Sequence, residues 1–362
     1  MSGFSKRHVD VASKYLKFND AHASDTAWRE HHRSLSMTKL LGMDDRTLAR
    51  GMALTANWLR AAVFSGKVTD GTRRLKLNNK QARLLRLLFS SPPTGQHLHW
   101  SNHHVRGASE RAMIDAFLDD LEQHPDRERW LGTFAWDDGI TSEDAGAVNL
   151  STLKMKVYKA LRSYGLEGIG ILEVDTTTPI VGRGKLLLFH VHVYCWSEAG
   201  LRFRPRKAAS ELMEGRRFPN SLGAPSVHFK RVNLHEISVA RIAAYFTKSP
   251  PGAKNRIGRR HKPGSHFFRS TLAGFTPASA LRLAEIFSMV DAREMVFSVG
   301  ANGRKLRQSW YENFMSHYRS RPGQRRHEAI NVIELWRDIL AEKGSGRLQS
   351  FEVLPCAGIR EG

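Results

Sequence analysis

Hydrophobic positions along the chain follow two rhythms. In DDRTLARGMALTANWLRAAVF (44–64), Leu48, Met52, Leu54, Leu59, Val63 and Phe64 recur at roughly helical spacing behind Asp44 and Asp45, which predicts an N-capped helix. NNKQARLLRLLFSS (78–91) sets Leu84, Leu85, Leu87 and Leu88 on a basic helix. SSPPTGQ (90–96) interrupts the pattern, and ASERAMIDAFLDDLEQH (108–124) resumes it. From residue 129 the period shortens. RWLGTFAWDD (129–138), GIGILEVD (168–175), KLLLFHVHVYCW (185–196) and SVHFKRVN (226–233) read as strands. Between them, LSTLKMKVYKALRSYG (150–165) is an amphipathic helix with Leu150, Leu153, Val157 and Leu161 on one face and Gly165 as its stop. HEISVARIAAYFTKS (235–249) is another, ended by Pro250 and Pro251. Helices at 277–290, 308–319 and 326–343 and a strand at MVFSVG (295–300) complete the reading.

These elements predict an α+β fold, a central antiparallel sheet with flanking helices, preceded by a mainly helical N-terminal region. The expected units are 1–125, helical and a candidate for DNA binding; 126–320, the sheet domain; and 321–362, a C-terminal helical segment and tail. No internal repeat or low-complexity tract stands out.

Composition narrows the class of partner. The 362 residues carry 56 Lys+Arg against 35 Asp+Glu, a formal charge of +21, and 41% hydrophobic residues, so the chain folds and is strongly basic. Cys195 and Cys356 are too few for a disulfide framework or a Cys-rich zinc module and fit a reducing compartment. No apolar run reaches the ~18 residues of a membrane span, and MSGFSKRHVDVASKY lacks a signal core, so a cytoplasmic protein is expected. Neutralising phosphates is the commonest use of such an excess of cations, which makes nucleic acid the leading partner. The charge is concentrated: residues 201–270 hold sixteen Lys+Arg against Glu211, Glu214 and Glu236. Two sub-clusters lie among Pro and Gly and read as loops: RFRPRK (202–207), with Arg204, Arg206 and Lys207, and KNRIGRRHK (254–262), with Arg256, Arg259, Arg260 and Lys262. Basic loops suit gripping a backbone more than reading bases.

The candidate chemistry sits on the strand KLLLFHVHVYCW. Leu187, Phe189, Val191, Val193 and Cys195 share one apolar face, while Leu186, Leu188, His190, His192, Tyr194 and Trp196 share the other. His190 and His192 therefore project together, with Cα atoms ~6–7 Å apart at ~3.3 Å per residue. Two such imidazoles can converge on one divalent ion, and GIGILEVD offers Glu173 or Asp175 as a third ligand. A two-His, one-carboxylate set leaves positions open for substrate oxygens. His97 and His99 in GQHLHW repeat the spacing, but they follow Ser-Pro-Pro-Thr-Gly and read as a loop. In VARIAAYFTKS, spacings of three and four put Arg241, Tyr245 and Lys248 on one side of a helix, where two cations favour a phenolate and the phenol can meet a phosphodiester. The structural alternative is a tyrosine at a core edge with solvated basic neighbours.

Taken together, the histidine strand and the tyrosine helix resemble the HUH endonucleases, the rolling-circle replication initiators of plasmids and single-stranded phages and the related transposases. LGTFAWDD (131–138) looks like that family's first motif, FHVHVYCW its second and AAYFTK its third, with Tyr245 53 residues after His192. The likeness covers roughly residues 125–320. Relaxases carry the tyrosine ahead of the histidine pair, so the order here argues against that branch. The resemblance implies that His190, His192 and Glu173 (or Asp175) hold Mg²⁺ or Mn²⁺. It also implies that Tyr245 attacks the scissile phosphate to leave a 5′-phosphotyrosine and a free 3′-hydroxyl, and that Lys248 orients the phosphate or the tyrosine. The substrate would be single-stranded or locally melted origin DNA, tracked by Arg241 and the basic loops, with a helicase and polymerase supplied by the host, since no GxxxxGK[ST] loop is present. Two-tyrosine members space their tyrosines by four; Arg241 and Ser249 occupy those positions here, so a single-tyrosine enzyme is expected. A second cleavage would then fall to another protomer's Tyr245 or to water activated by a carboxylate such as Glu236. A single-strand transposase and a non-catalytic basic DNA-binding protein are the alternatives.

Overall fold

The computed structural model describes residues 78–90, 97–143, 146–177, 186–198, 200–215, 217–221, 225–247, 254–258, 266–270, 277–319, 330–341 and 352–354. The helix expected over 44–64 lies outside them. Among the described residues the chain is an antiparallel sheet flanked by helices, the α+β class expected.

Helices α1 (Asn79–Ser90) and α2 (His103–Gln123) precede β1 (Trp130–Phe134). A short turn at Asp137–Gly139, β2 (Ile140–Ser142) and β3 (Ala147–Asn149) lead into α3 (Leu150–Arg162), whose Asn149 cap accepts the Thr152 N–H at 3.0 Å. Past α3 the chain turns at Gly165, where φ is +62° as only glycine readily allows, into β4 (Leu166–Thr177). β5 (Leu186–Ser197) returns along β4 with every residue paired, from Leu166 opposite Ser197 to Thr177 opposite Leu186. This long hairpin is the centre of the sheet.

β1 and β2 pair with the free side of β5, and β6 (Val227–Arg231) adds to β1 at the edge. On the free side of β4 lie β9 (Val296–Val299), antiparallel, and the start of a hairpin of β7 (Lys254–Gly258) and β8 (His266–Ser270). The remaining elements are α4 (Pro205–Glu214), α5 (Glu236–Phe246), α6 (Pro277–Met289), α7 (Ala292–Met295), α8 (Gly300–Arg319), α9 (Val332–Ala341) and β10 (Glu352–Leu354), which runs parallel to β3.

Both faces of the central hairpin are covered, so β5 is buried at every position but its ends. On the histidine face, Phe117 of α2 stacks on Tyr194 at 4.2 Å and meets Phe246 of α5 edge-on at 5.5 Å. Trp310 of α8 donates its indole N–H to the Ser109 carbonyl of α2 at 3.2 Å. On the opposite face Phe134, Phe218 and Phe229 form an aromatic cluster, with Lys156 of α3 over the Phe218 ring at 5.3 Å. Thus α2, which the sequence places in the N-terminal region, shares one core with the sheet. No helix among the described residues is long and apolar enough to cross a membrane.

Three elements differ from expectation. RFRPRK is not a loop throughout: Pro205 is the first residue of α4, where its fixed φ suits the helix and its missing N–H costs nothing, so Arg206 and Lys207 lie in a first turn. KNRIG is a strand rather than a loop, because HFFRS pairs with it from Lys254–Ser270 to Gly258–His266; that partner is invisible to local composition. Finally, α8 starts at Gly300, eight residues before the expected 308. Gly300 makes the turn with φ of +74°, and a Cβ on Gly303 would stand 2.1 Å from the Gly168 carbonyl oxygen of β4.

Candidate metal centre and tyrosine site

Register on the central hairpin assembles the metal donors. Glu173 pairs with His190, and Ile171 with His192, so the carboxylate and both imidazoles leave the same face of adjacent strands. The His190 and His192 rings are 5.0 Å apart and nearly perpendicular. Both are buried. Glu173 Oε2 lies 3.3 Å from His190 Nε2 and 3.5 Å from His192 Nε2. Bonds of ~2.1 Å to one ion place neighbouring ligands ~3–3.5 Å apart, so the spacing fits a shared cation. The three donor atoms lie within 4.8 Å of one another and form the only such group among the described residues.

The far nitrogens explain why the Nε2 atoms face inward. His190 Nδ1–H donates to the Leu188 carbonyl at 3.3 Å, which leaves the lone pair on Nε2. His192 Nδ1 meets Thr133 Oγ1 of β1 at 3.0 Å, the residue paired with it across the strands. In the tautomer protonated at Nδ1, His192 also offers Nε2 to an ion.

Two carboxylates competed for the third position in the sequence, and the geometry separates them. Asp175 Oδ2 approaches His190 Nε2 at 3.5 Å but falls outside the group of three. Asp175 is buried, so the site holds two carboxylates. The buried guanidinium of Arg106 on α2 interacts electrostatically with Glu173. It lies over the rings of Phe287 and Trp100, at 4.6 and 5.1 Å, and its Nε donates to the Trp100 carbonyl at 2.7 Å. Burial pushes its pKa down to about 9, while the Glu173 charge works to raise it, so Arg106 remains a cation at neutral pH.

Tyr245 completes the site from a different element. In the last turn of α5, its Oη is 3.4 Å from His192 Nε2 and its ring 5.0 Å from that imidazole. Phe246, next along the helix, is buried against the other side of His192 at 6.4 Å and against Phe117. This packing, with Val239 and Ala243 fully buried, fixes the rotation of α5 and hence where the phenol points. Tyr245 and Glu173 are partly exposed, so the cluster is open on that side.

The remaining predicted residues divide. Lys248, Arg259, Arg260 and Lys262 lie outside the described residues. Arg241 and Arg256 lie on α5 and β7, and only their backbones are described. Arg204, Arg206 and Lys207 are exposed, with Lys207 3.5 Å from Glu211. They stand on the far side of the sheet: the neighbouring Phe203 packs on Phe229 and Trp130, which have the opposite parity to His192. The structure therefore does not bring that cluster to the metal donors. Sequence reasoning missed Arg106 and Thr133. Thr133 carried a usable signal, an inward position in the strand of LGTFAWDD; Arg106, on a helix buried nearly all round, carried none.

Comparison with family models, with curated proteins and with solved structures finds no match to the chain. What the fold establishes on its own is a group of Glu173, His190 and His192, the two histidines buried, whose donor atoms could hold a divalent cation.

Proposed function

We propose that this protein is a metal-dependent nickase of single-stranded DNA, a rolling-circle replication initiator of the HUH type that uses Tyr245 as its nucleophile. The observation that carries the reading is the 3.4 Å approach of the Tyr245 hydroxyl to His192 Nε2, across 53 residues and from a separate helix. A core-edge tyrosine has no reason to end at the open side of a three-donor cation site.

In this reading Glu173, His190 and His192 hold Mg²⁺ or Mn²⁺, which when bound supplies polarisation of the scissile phosphate and neutralisation of its developing charge. The Leu188 carbonyl keeps His190 in the ligating tautomer, and Thr133 anchors the far nitrogen of His192. Arg106 places a buried positive charge near Glu173. Tyr245 Oη forms a bond to phosphorus as the P–O3′ bond breaks; the phenol loses its proton to water, and the departing 3′ oxygen takes one up. The phosphodiester energy is kept in the phosphotyrosine, so the strand can be rejoined. Lys248, three residues on, orients the phosphate, and the basic surface tracks the rest of the strand.

The test is a covalent one. The full-length protein is incubated with Mn²⁺ and labelled single-stranded oligonucleotides tiled across its own replicon, and denaturing gels are read for a protein–DNA adduct. Wild type yields an adduct with one sequence and Tyr245→Phe yields none. An adduct that survives Tyr245→Phe, or none with any tile, removes the reading and leaves a cationic nucleic-acid binder.

A further inference from the structure

At the far edge of the sheet, α7, β9 and the first turns of α8 enclose an open cavity of about 730 Å³. Arg293, Arg304, Lys305 and Arg307 line it, with Glu312 as its one carboxylate. Two of the cations are already held in place. Arg293 forms a two-pronged pair with Asp291, Nε and Nη2 each 2.7 Å from a carboxylate oxygen. Arg307 donates from Nε to the Val296 carbonyl at 3.1 Å and from Nη2 to the Arg293 carbonyl at 3.4 Å. Asp291 cancels the charge of Arg293, so the effective balance is three cations against Glu312. Arg307 has further N–H donors beyond those two bonds, and Arg304 and Lys305 are exposed one turn earlier.

The position matters as much as the charge. Val296, which anchors Arg307, pairs with Ile171, and Ile171 pairs with His192. Two inter-strand spacings of ~4.8 Å put that anchor's Cα about 10 Å from the Cα of His192, a reach of a few nucleotides. Ser298, which lines the cavity, has the parity of the histidine face. The lining residues carry charged or polar ends on apolar stems, with Tyr311 as the one aromatic ring, and the cavity is open, unlike the enclosed pocket that a small organic ligand needs. A mouth lined with cations fits a chain of phosphates better.

We propose that this cavity grips the phosphate backbone of the nucleic acid beyond the bond that Tyr245 attacks. The choice of polymer rests on the nicking reading; the anionic backbone chemistry rests on the cavity. Contacts of this kind fix register and add affinity without reading sequence.

Binding is measured on full-length Tyr245→Phe protein, which cannot be trapped covalently, with a fluorescent oligothymidine of about 20 residues over a salt series. Arg304→Gln/Lys305→Gln weakens binding about tenfold and lowers the slope of log K against log salt by about 1 to 1.5, as loss of two phosphate contacts requires. Lys159→Gln/Arg337→Gln, which removes the same charge from exposed positions on α3 and α9, changes affinity less than twofold. Equal affinities and slopes for the two double variants overturn the proposal. The adduct assay on wild type separates the two readings. An adduct with no difference between the double variants defeats the cavity alone; a difference with no adduct defeats the nicking and leaves the cavity as a nucleic-acid site.

Discussion

His97 and His99 repeat the spacing of His190 and His192, yet the fold uses the two pairs in opposite ways. The His97 and His99 rings touch at 4.3 Å. His99 is buried and donates its Nδ1–H to the Ser288 carbonyl at 2.6 Å, while His97 is 44% exposed and 3.7 Å from Asp291. The Asp291 oxygens are already taken by the Leu98 N–H and by Arg293. At His190 and His192 the Nδ1 atoms are satisfied from behind, and a carboxylate in register on the next strand closes the third side. Spacing alone therefore does not make a ligand pair. What sets His190 and His192 apart is a carboxylate in register on the next strand and anchors for the far nitrogens.

His192→Ala is expected to lower adduct formation by about a thousandfold or more and to remove Mn²⁺ binding measured by calorimetry, while His97→Ala leaves both unchanged. Loss of Mn²⁺ binding in His97→Ala would mean that the outer pair ligates after all. Next in size, Thr133→Val is expected to weaken Mn²⁺ binding about 10- to 100-fold by freeing the His192 ring, with little change in the urea midpoint. An unchanged affinity would show that packing against Phe246 alone orients that imidazole.

Asp291→Ala tests the structural pair. It leaves the buried Leu98 N–H and Arg293 without their acceptor, and a loss of about 2 kcal/mol in urea unfolding with unaltered Mn²⁺ affinity is expected. The smallest effect is in acid. Burial works to raise the Asp291 pKa, but hydrogen bonds from Arg293 and the Leu98 N–H outweigh it and hold the carboxyl below its ordinary 3.8. A depressed carboxylate stabilises the fold above its unfolded pKa and loses that contribution as pH falls through the folded value. Asp291→Ala should therefore differ from wild type by its full amount at pH 7, and the gap should start to narrow only below about pH 4 and close as the pH falls through the lower folded value. A gap that stays equal from pH 7 through that acid range would show that Asp291 acts by packing alone.

The central hairpin and its face assignments were legible in the sequence because a two-residue alternation survives in KLLLFHVHVYCW and GIGILEVD. Tyr245 was legible as a residue type on a helix, but its 3.4 Å approach to His192 depends on how Phe246 packs between Phe117 and the imidazole, which no local pattern encodes. The choice of Glu173 over Asp175 turned on reach across the strand, since both carboxylates share one parity. Arg106 was not legible because its partners come from Trp100 and from Phe287, 181 residues downstream. The basic segments were misread where pairing or a helix start, not composition, decided their form: Pro205 opened α4, and HFFRS recruited KNRIG.

Because β4 and β5 pair without a bulge over twelve residues, the ligand set is indexed to the hairpin as teeth are to a rack. Deleting one residue between Gly168 and Glu173 would keep every donor in the chain and nearly every contact type in the sheet. It would nonetheless rotate one half of the alternation by 180°, sending either the carboxylate or the flanking apolar residues through to the wrong layer. Length within this strand is thus constrained more tightly than identity, and indels there should be tolerated less than almost any single substitution.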